Sequence, residues 1–171
     1  MSPPASLADH CLLPVTGNDS RILILGSFPS VTSLEQSEYY GNPRNHFWTI
    51  METLLSVGHT LPYADRIRAL EERHIALWDV VRSCSRHGSG DSEIRDPVFN
   101  DISGFIHRNP GLLLIALNGS TARRYFGLLG IDERITIVTL PSTSPANARA
   151  TIEEKTERWR VICRYLADQD G

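Results

Sequence analysis

The stretch Arg21–Trp48, RILILGSFPSVTSLEQSEYYGNPRNHFW, decides how the rest of the chain is read. RILILG (21–26) is an unbroken apolar run of strand length, which reads as a strand buried on both faces. Such strands belong to covered parallel sheets, where the loop after the strand delivers polar groups to the sheet's carboxyl edge. Here that loop is Gly-Ser-Phe-Pro followed by a polar segment carrying Tyr39 and Tyr40. Asn42-Pro43 then reads as a cap with proline at the first helical position, which puts Asn45 in the first turn. Phe47, Met51, Leu54 and Leu55 continue at helical spacing, and Gly58 is the expected stop. A neutral carboxamide beside an aromatic pair points to recognition of a planar, uncharged ring rather than to phosphate transfer.

Outward from this stretch, residues 1–20 read as a loose lead-in interrupted by Pro3, Pro4, Pro14 and Gly17, and 21–171 as one domain. A helix is expected over Tyr63–Arg73 with Ile67 and Leu70 inward, then a strand, IALWDVV (75–81), and a Gly/Ser-rich loop, SCSRHGSGDS. Asp96-Pro97 is expected to open a helix whose inward face is Phe99, Ile102, Phe105 and Ile106. LLLIAL (112–117) and RITIVTL (134–140) are the remaining strands, with a helix capped at Ser120 between them. Thr151 with Glu154 makes a capping box for one last helix with Ile152, Trp159, Ile162, Cys163 and Leu166 inward. Strands alternating with helices indicate an α/β domain with a parallel sheet covered on both sides.

At 171 residues, 41% hydrophobic and 22% charged, the chain has the profile of one globular domain. No apolar segment is long enough to span a membrane, and no secretory signal is visible at the start. Three scattered cysteines, Cys11, Cys84 and Cys163, lack a paired framework and fit a reducing cytoplasm. A net charge of -3 argues mildly against a nucleic-acid partner, which such a chain would have to hold by a local basic patch or by backbone amides. Metal is not expected: Cys84 and His87 have ligand-like spacing without a second pair, and three cysteines do not make an iron–sulfur cluster. No dinucleotide or Walker-type loop is present, nor a G-x-S-x-G nucleophile turn, and no cofactor is expected.

Four polar loops at strand ends would meet along one sheet edge: Ser27-Phe28 through Asn45, Asp79 onward, Asn118-Gly119, and Ser142 to Asn147. Each has an ordinary alternative. Asn45 either reaches into a cleft or satisfies free amides of its helix. One of Tyr39 and Tyr40 is a core aromatic and the other a stacking platform. Asp79 anchors a neighbouring amide or Arg, or else accepts a hydrogen bond from a substrate N–H. Asn118-Gly119 is also a common turn. PSTSP, rigidified by Pro141 and Pro145, is either a plain turn or a grip on phosphates through amides and hydroxyls. Among Asp91, Glu93, Asp96 and Asp101 a glycosidase-like carboxylate pair competes with a solvated loop and a helix start.

GSFPS…YYGNPRNHFW, LWDVVRSCSRHGSGDSEI, LNGSTARRYF and LPSTSPANA together resemble the DNA-deoxyinosine (hypoxanthine-DNA) glycosylases of the uracil-DNA glycosylase superfamily, in matching order over about residues 21–166. The resemblance implies a three-layer α/β/α sandwich around a four-stranded parallel sheet. It also implies monofunctional, cofactor-free excision of a deaminated base from DNA, with hypoxanthine expected and uracil or xanthine as alternatives. Under it Asn45 and Asn118 are catalytic, Asn45 by orienting water. Gly26, Ser27, Phe28, Tyr40 and Asp79 bind the base, the backbone amides near Gly26 to Phe28 stabilising it as it leaves. Ser142, Thr143, Ser144, Pro145 and Asn147 grip the DNA, with Pro145, Ala146 and Asn147 as candidates to wedge into the duplex. Asn42 stands where members often carry His, and Gly90 replaces an expected larger residue. A monomer is expected. A noncatalytic sensor of damaged DNA and a free-nucleoside hydrolase are the other classes to separate.

Overall fold

Ile22, Leu23, Ile24 and Leu25 have no exposed surface, so both faces of the first long strand are covered. In the computed structural model, residues 9–131 and 134–167 are described. In chain order they form β1 (Asp9–His10), β2 (Ile22–Gly26), α1 (Val31–Gln36), α2 (Phe47–Leu55), α3 (Tyr63–Glu72), β3 (Ile75–Asp79) and β4 (Val81–Ser85). A 3-10 turn follows at Asp91–Glu93, then β5 (Arg95–Phe99), α4 (Ile102–Arg108), β6 (Leu114–Asn118), α5 (Ser120–Gly127), β7 (Thr136–Leu140), α6 (Ile152–Trp159) and α7 (Val161–Ala167).

The main sheet has the order β3-β2-β6-β7 with every pairing parallel. Alternate residues of its strands enter two separate cores, because side chains of a strand point to opposite faces in turn. Leu23, Leu25, Ala76, Ile115 and Leu117 pack with Ile102, Phe105, Ala122 and Phe126 of α4 and α5. Ile22, Ile24, Leu77, Leu114 and Ala116 pack with Phe47, Met51, Leu70, Trp159 and Ile162 from α2, α3, α6 and α7. The result is the expected three-layer α/β/α arrangement with a four-stranded parallel sheet.

Several local expectations are corrected. The strand read as 75–81 kinks after Asp79 and continues as β4, which joins β1 and β5 in a small antiparallel sheet. Asp96-Pro97 opens no helix: it lies in β5, an edge strand, where the missing proline N–H is not required by a neighbour. The helix starts instead at Asp101, whose side chain accepts the Gly104 N–H at 3.0 Å. The polar loop after β2 contains α1, capped when Ser30 accepts the Ser33 N–H. The last helix is interrupted at Arg160 into α6 and α7.

Of the lead-in, residues 1–8 lie outside the described residues, while 9–15 run along structure. Asp9 and His10 pair with β4, Val15 and Leu77 exchange two hydrogen bonds of 2.8 and 2.9 Å, and the Tyr39 hydroxyl donates to the Leu13 carbonyl. Val15 thereby covers the outer edge of β3, which would otherwise present unpaired backbone.

The α2 start also differs from expectation, and this matters for the site. Asn42 to Asn45 form a turn rather than a first helical turn: the Asn45 N–H donates to the Asn42 carbonyl and the Arg44 N–H to Asn42 Oδ1. The helix begins at Phe47, with His46 at its cap position.

Candidate active site

Strand register brings the polar loop residues together. Gly26 stands opposite Asp79 across β2–β3, Leu25 opposite Leu117 across β2–β6, and Asn118 opposite Leu140 across β6–β7. Above this row of carboxyl ends opens a cleft of about 750 Å³. That lies inside the roughly 300–1,000 Å³ of ordinary small-ligand pockets and has room for a purine. Its lining includes every sequence-expected site residue (Asn45, Asn118, Gly26, Ser27, Phe28, Tyr40, Asp79, Ser142, Thr143, Ser144 and Asn147) except Pro145.

Asp79 is buried, only 3% exposed, with its carbonyl clamped by the Asn100 amide at 2.8 Å. Its Oδ2 is buried and has no hydrogen-bond partner among the described residues. Burial first, then the negative charge of Asp91, push this carboxyl up to about 7 against the pull of Arg86. Gly26 is the residue that permits the approach: a Cβ there would stand 2.5 Å from Asp79 Oδ1 and 3.5 Å from the Tyr40 hydroxyl.

Tyr40 adopts a left-handed conformation with φ 55°, rare for an aromatic residue and costly unless its surroundings enforce it. One face of its ring stacks on Phe47, centroids 4.0 Å apart, and its hydroxyl ends beside Gly26 and Asp79. Burial and the Asp79 charge raise the phenol above its usual range, so it stays protonated. The Asn118 amide lies near enough to oppose that rise, yet the buried hydroxyl completes no hydrogen bond among the described residues. Tyr39 is the core member of the pair, 4% exposed. Phe28 lines the cleft with the Arg86 guanidinium 4.8 Å over its ring.

Asn45 carries the structural role that was its alternative reading, Asn118 carries one that was not expected, and both also line the cleft. Asn45 Oδ1 accepts the Phe47 N–H at 2.9 Å, capping α2 and fixing the direction of its carboxamide. Asn118 is held at both ends by Thr143: its Nδ2 donates to Thr143 Oγ1 and its Oδ1 accepts the Thr143 N–H, each at 3.0 Å. This doubly bonded pair fastens the 141–147 loop to the end of β6. Within that loop the Ser144 N–H donates to Ser142 Oγ, the Ala146 N–H to Ser144 Oγ, and Asn147 Nδ2 to the Ser142 carbonyl. Gly119, at φ 100°, lets the loop pass, since a Cβ there would meet Ser142 Cβ at 2.9 Å.

Five contributors were missed in the sequence reading. Asp91, placed among solvated acids, faces the cleft and accepts from Ser27 Oγ at 2.7 Å. Ser89 accepts the Val31 N–H, so the 86–91 loop folds over α1 as a wall of the site, where a Cβ on Gly90 would meet nothing closer than 3.7 Å. Arg149 and Arg158 line the mouth and supply positive charge to an otherwise acidic chain. Lys155 is fully buried beneath the 141–147 loop. Only Ser89 and Asp91 had a sequence signal, their proximity to Asp79 within one block. Among the described residues no group of three or more His, Cys, Asp or Glu could hold a metal ion, and no helix is long and apolar enough to cross a membrane.

In chemical terms the cleft offers a buried acceptor, a buried hydroxyl, an aromatic face and a carboxamide under a hydroxyl-rich loop. Comparisons with known proteins give the family. A model of the uracil DNA glycosylase superfamily matches residues 14–163. A Methanosarcina acetivorans protein named hypoxanthine DNA glycosylase is 38% identical over 161 residues, covering 88% of this chain and 95% of that protein. A Methanosarcina barkeri protein of the same name is 33% identical over 147 residues, covering 84% and 90%. The solution NMR structure of a Methanosarcina acetivorans protein described as a candidate uracil DNA glycosylase superposes with a TM-score of 0.80 at 35% identity, covering 94% of this chain and 99% of that one. With one family model spanning nearly all of its length, this chain belongs to the uracil DNA glycosylase superfamily.

Proposed function

We propose that the protein is a DNA glycosylase that hydrolyses the N-glycosidic bond of a deaminated base flipped out of DNA, hypoxanthine first. The observation that carries this reading is the pair of orphaned polar atoms deep in the cleft, Asp79 Oδ2 and the Tyr40 hydroxyl. Buried polar atoms left without partners cost about 1–3 kcal/mol each, a cost that a ligand supplying the partners removes. A planar base edge with an N–H donor next to a carbonyl acceptor is such a ligand.

Hypoxanthine presents N1–H beside O6, so ionised Asp79 accepts the N–H while the Tyr40 hydroxyl faces the carbonyl. Uracil offers an equivalent N–H and carbonyl. Adenine and cytosine present an unprotonated ring nitrogen at the same position and leave the carboxylate facing a lone pair. Guanine shares the hypoxanthine edge, but its pair with cytosine makes extrusion more expensive than that of a mispaired base. Phe28 stacks on the flipped ring, and the 141–147 loop holds the backbone through amides and hydroxyls.

Cleavage breaks the bond from C1′ to the base, leaving positive character on the sugar and negative charge on the departing purine. Asn45, whose orientation is set by its bond to Phe47, places water below C1′. A carboxamide has no useful basicity, so its contribution is orientation. Single-turnover assays on duplexes bearing inosine, uracil, xanthosine or a thymine mismatch test the reading. Base release from the inosine duplex is the expected result. Binding without release points to a damage sensor, and activity on free inosine regardless of duplex length to a nucleoside hydrolase; either refutes the proposal.

A further inference from the structure

Lys155 on α6 has no exposed surface, although lysine is almost never fully buried without a paired charge. No carboxylate pairs with it among the described residues. Its ammonium has two long contacts, 3.3 Å to His46 Nδ1 and 3.5 Å to the Ser144 carbonyl. With three donors and two distant acceptors the charge is poorly compensated, and an apolar side chain of the same volume would suit folding better.

Its neighbours explain the position. His46 follows Asn45 directly and stands at the cap position of α2, while its N–H donates to the Thr143 carbonyl at 2.9 Å. Burial and then Lys155 hold the His46 ring below its usual basicity, and Nδ1 is the ring nitrogen that faces the ammonium as its acceptor. Glu153, from the first turn of α6, opposes that effect and is the other charged group felt by the ring. One ammonium thus touches both the segment carrying Asn45 and the loop carrying Thr143 and Ser144, from a third element, α6, that otherwise reaches the cleft through Arg158 at its mouth.

We infer that Lys155, acting through His46, is a positioning residue that sets the register of Asn45 against the 142–147 loop. This rests on the glycosylase reading above. The single-turnover rate at saturating inosine duplex, duplex affinity and the thermal midpoint are measured for the wild type, Lys155→Met, His46→Leu, His46→Gln and the Met/Leu double variant. Lys155→Met is expected to melt at or above the wild-type temperature, to bind the duplex within about twofold, and to excise at least about tenfold more slowly, because small misplacements of a positioned group cost that much. His46→Leu, which removes the acceptor from a partly exposed site, should slow excision similarly, whereas His46→Gln restores an acceptor and most of the rate. The double variant should be no slower than the slower single one, since the two act as a unit. A purely structural lysine predicts instead a lower melting temperature and multiplicative losses. If Lys155→Met does not fold, His46→Leu and His46→Gln decide the matter. A folded Lys155→Met or His46→Leu protein at the wild-type rate overturns this inference alone, while a wild type that releases no base overturns the glycosylase reading and this inference with it.

Discussion

Replacing Asp79 with Asn tests the central electrostatic feature of the cleft. The Asp79 carboxyl is raised from 3.8 to about 7, chiefly by burial. Three units at 1.36 kcal/mol each make about 4 kcal/mol of penalty for carrying the charge in the folded state. Because the folded value lies above the unfolded one, the native protein holds the extra proton. The group's stabilising share is therefore complete below pH 3.8 and is lost as pH rises through about 7. At 3% exposure the carboxylate is little screened by solvent. Asparagine has no such titration. Urea melts of both proteins, with the stability difference plotted against pH to cancel all shared titrations, should show the variant gaining roughly 3 kcal/mol on the wild type between pH 5 and pH 8. The same titration should appear in function. Wild-type excision of hypoxanthine is expected to rise with pH around an inflection near 7, as the carboxylate becomes an acceptor for N1–H, and the inflection should vanish in Asp79→Asn. A stability difference constant to within about 0.5 kcal/mol over this range would refute the cost assigned to the buried charge. A wild-type rate profile flat through pH 7 would refute its role in reading the base.

Asn45→Ala should lower single-turnover excision by about 10²–10³-fold with duplex binding retained. Loss of the Phe47 cap costs about 1 kcal/mol in a urea melt, and a folded variant at the normal rate removes Asn45 from the chemistry. Gly26→Ala forces a Cβ to 2.5 Å from Asp79 Oδ1, so a loss of roughly 1–3 kcal/mol and of base excision are expected together. A stable variant at full activity would show that Asp79 moves freely. Asn118→Ala strands the Thr143 N–H and hydroxyl, and a cost of about 2–4 kcal/mol with weakened duplex affinity should be seen by melting and by fluorescence anisotropy. Gly90→Ala, with nothing closer than 3.7 Å to the new methyl, should stay within about 0.5 kcal/mol and excise normally.

Periodicity and apolar runs determined the layered parallel sheet, because a strand buried on both faces leaves an unbroken hydrophobic signature at Ile22–Leu25, Ile75–Trp78 and Leu114–Leu117. The same reading aligned the polar loops along one edge, since parallel strands must all end there. It misplaced Asp96-Pro97, because proline suits the start of a helix and an edge strand equally, and only the partnership with β4 chooses between them. It put Asn45 in a first helical turn because Asn-Pro is a common helix opening, whereas the Arg44 and Asn45 N–H groups donate to Asn42 and close a turn there first. The tertiary structure alone decided the electrostatics. The Asp79 carboxyl is pushed up to about 7 by what buries it and by the charge of Asp91, which folds back toward it. Lys155 carries a helix-surface signature in its Glu-rich segment, and only the packing of α6 against α2 encloses it. Local sequence governs which backbone conformations are cheap, but dielectric surroundings and long-range charge exist only once the chain has closed on itself.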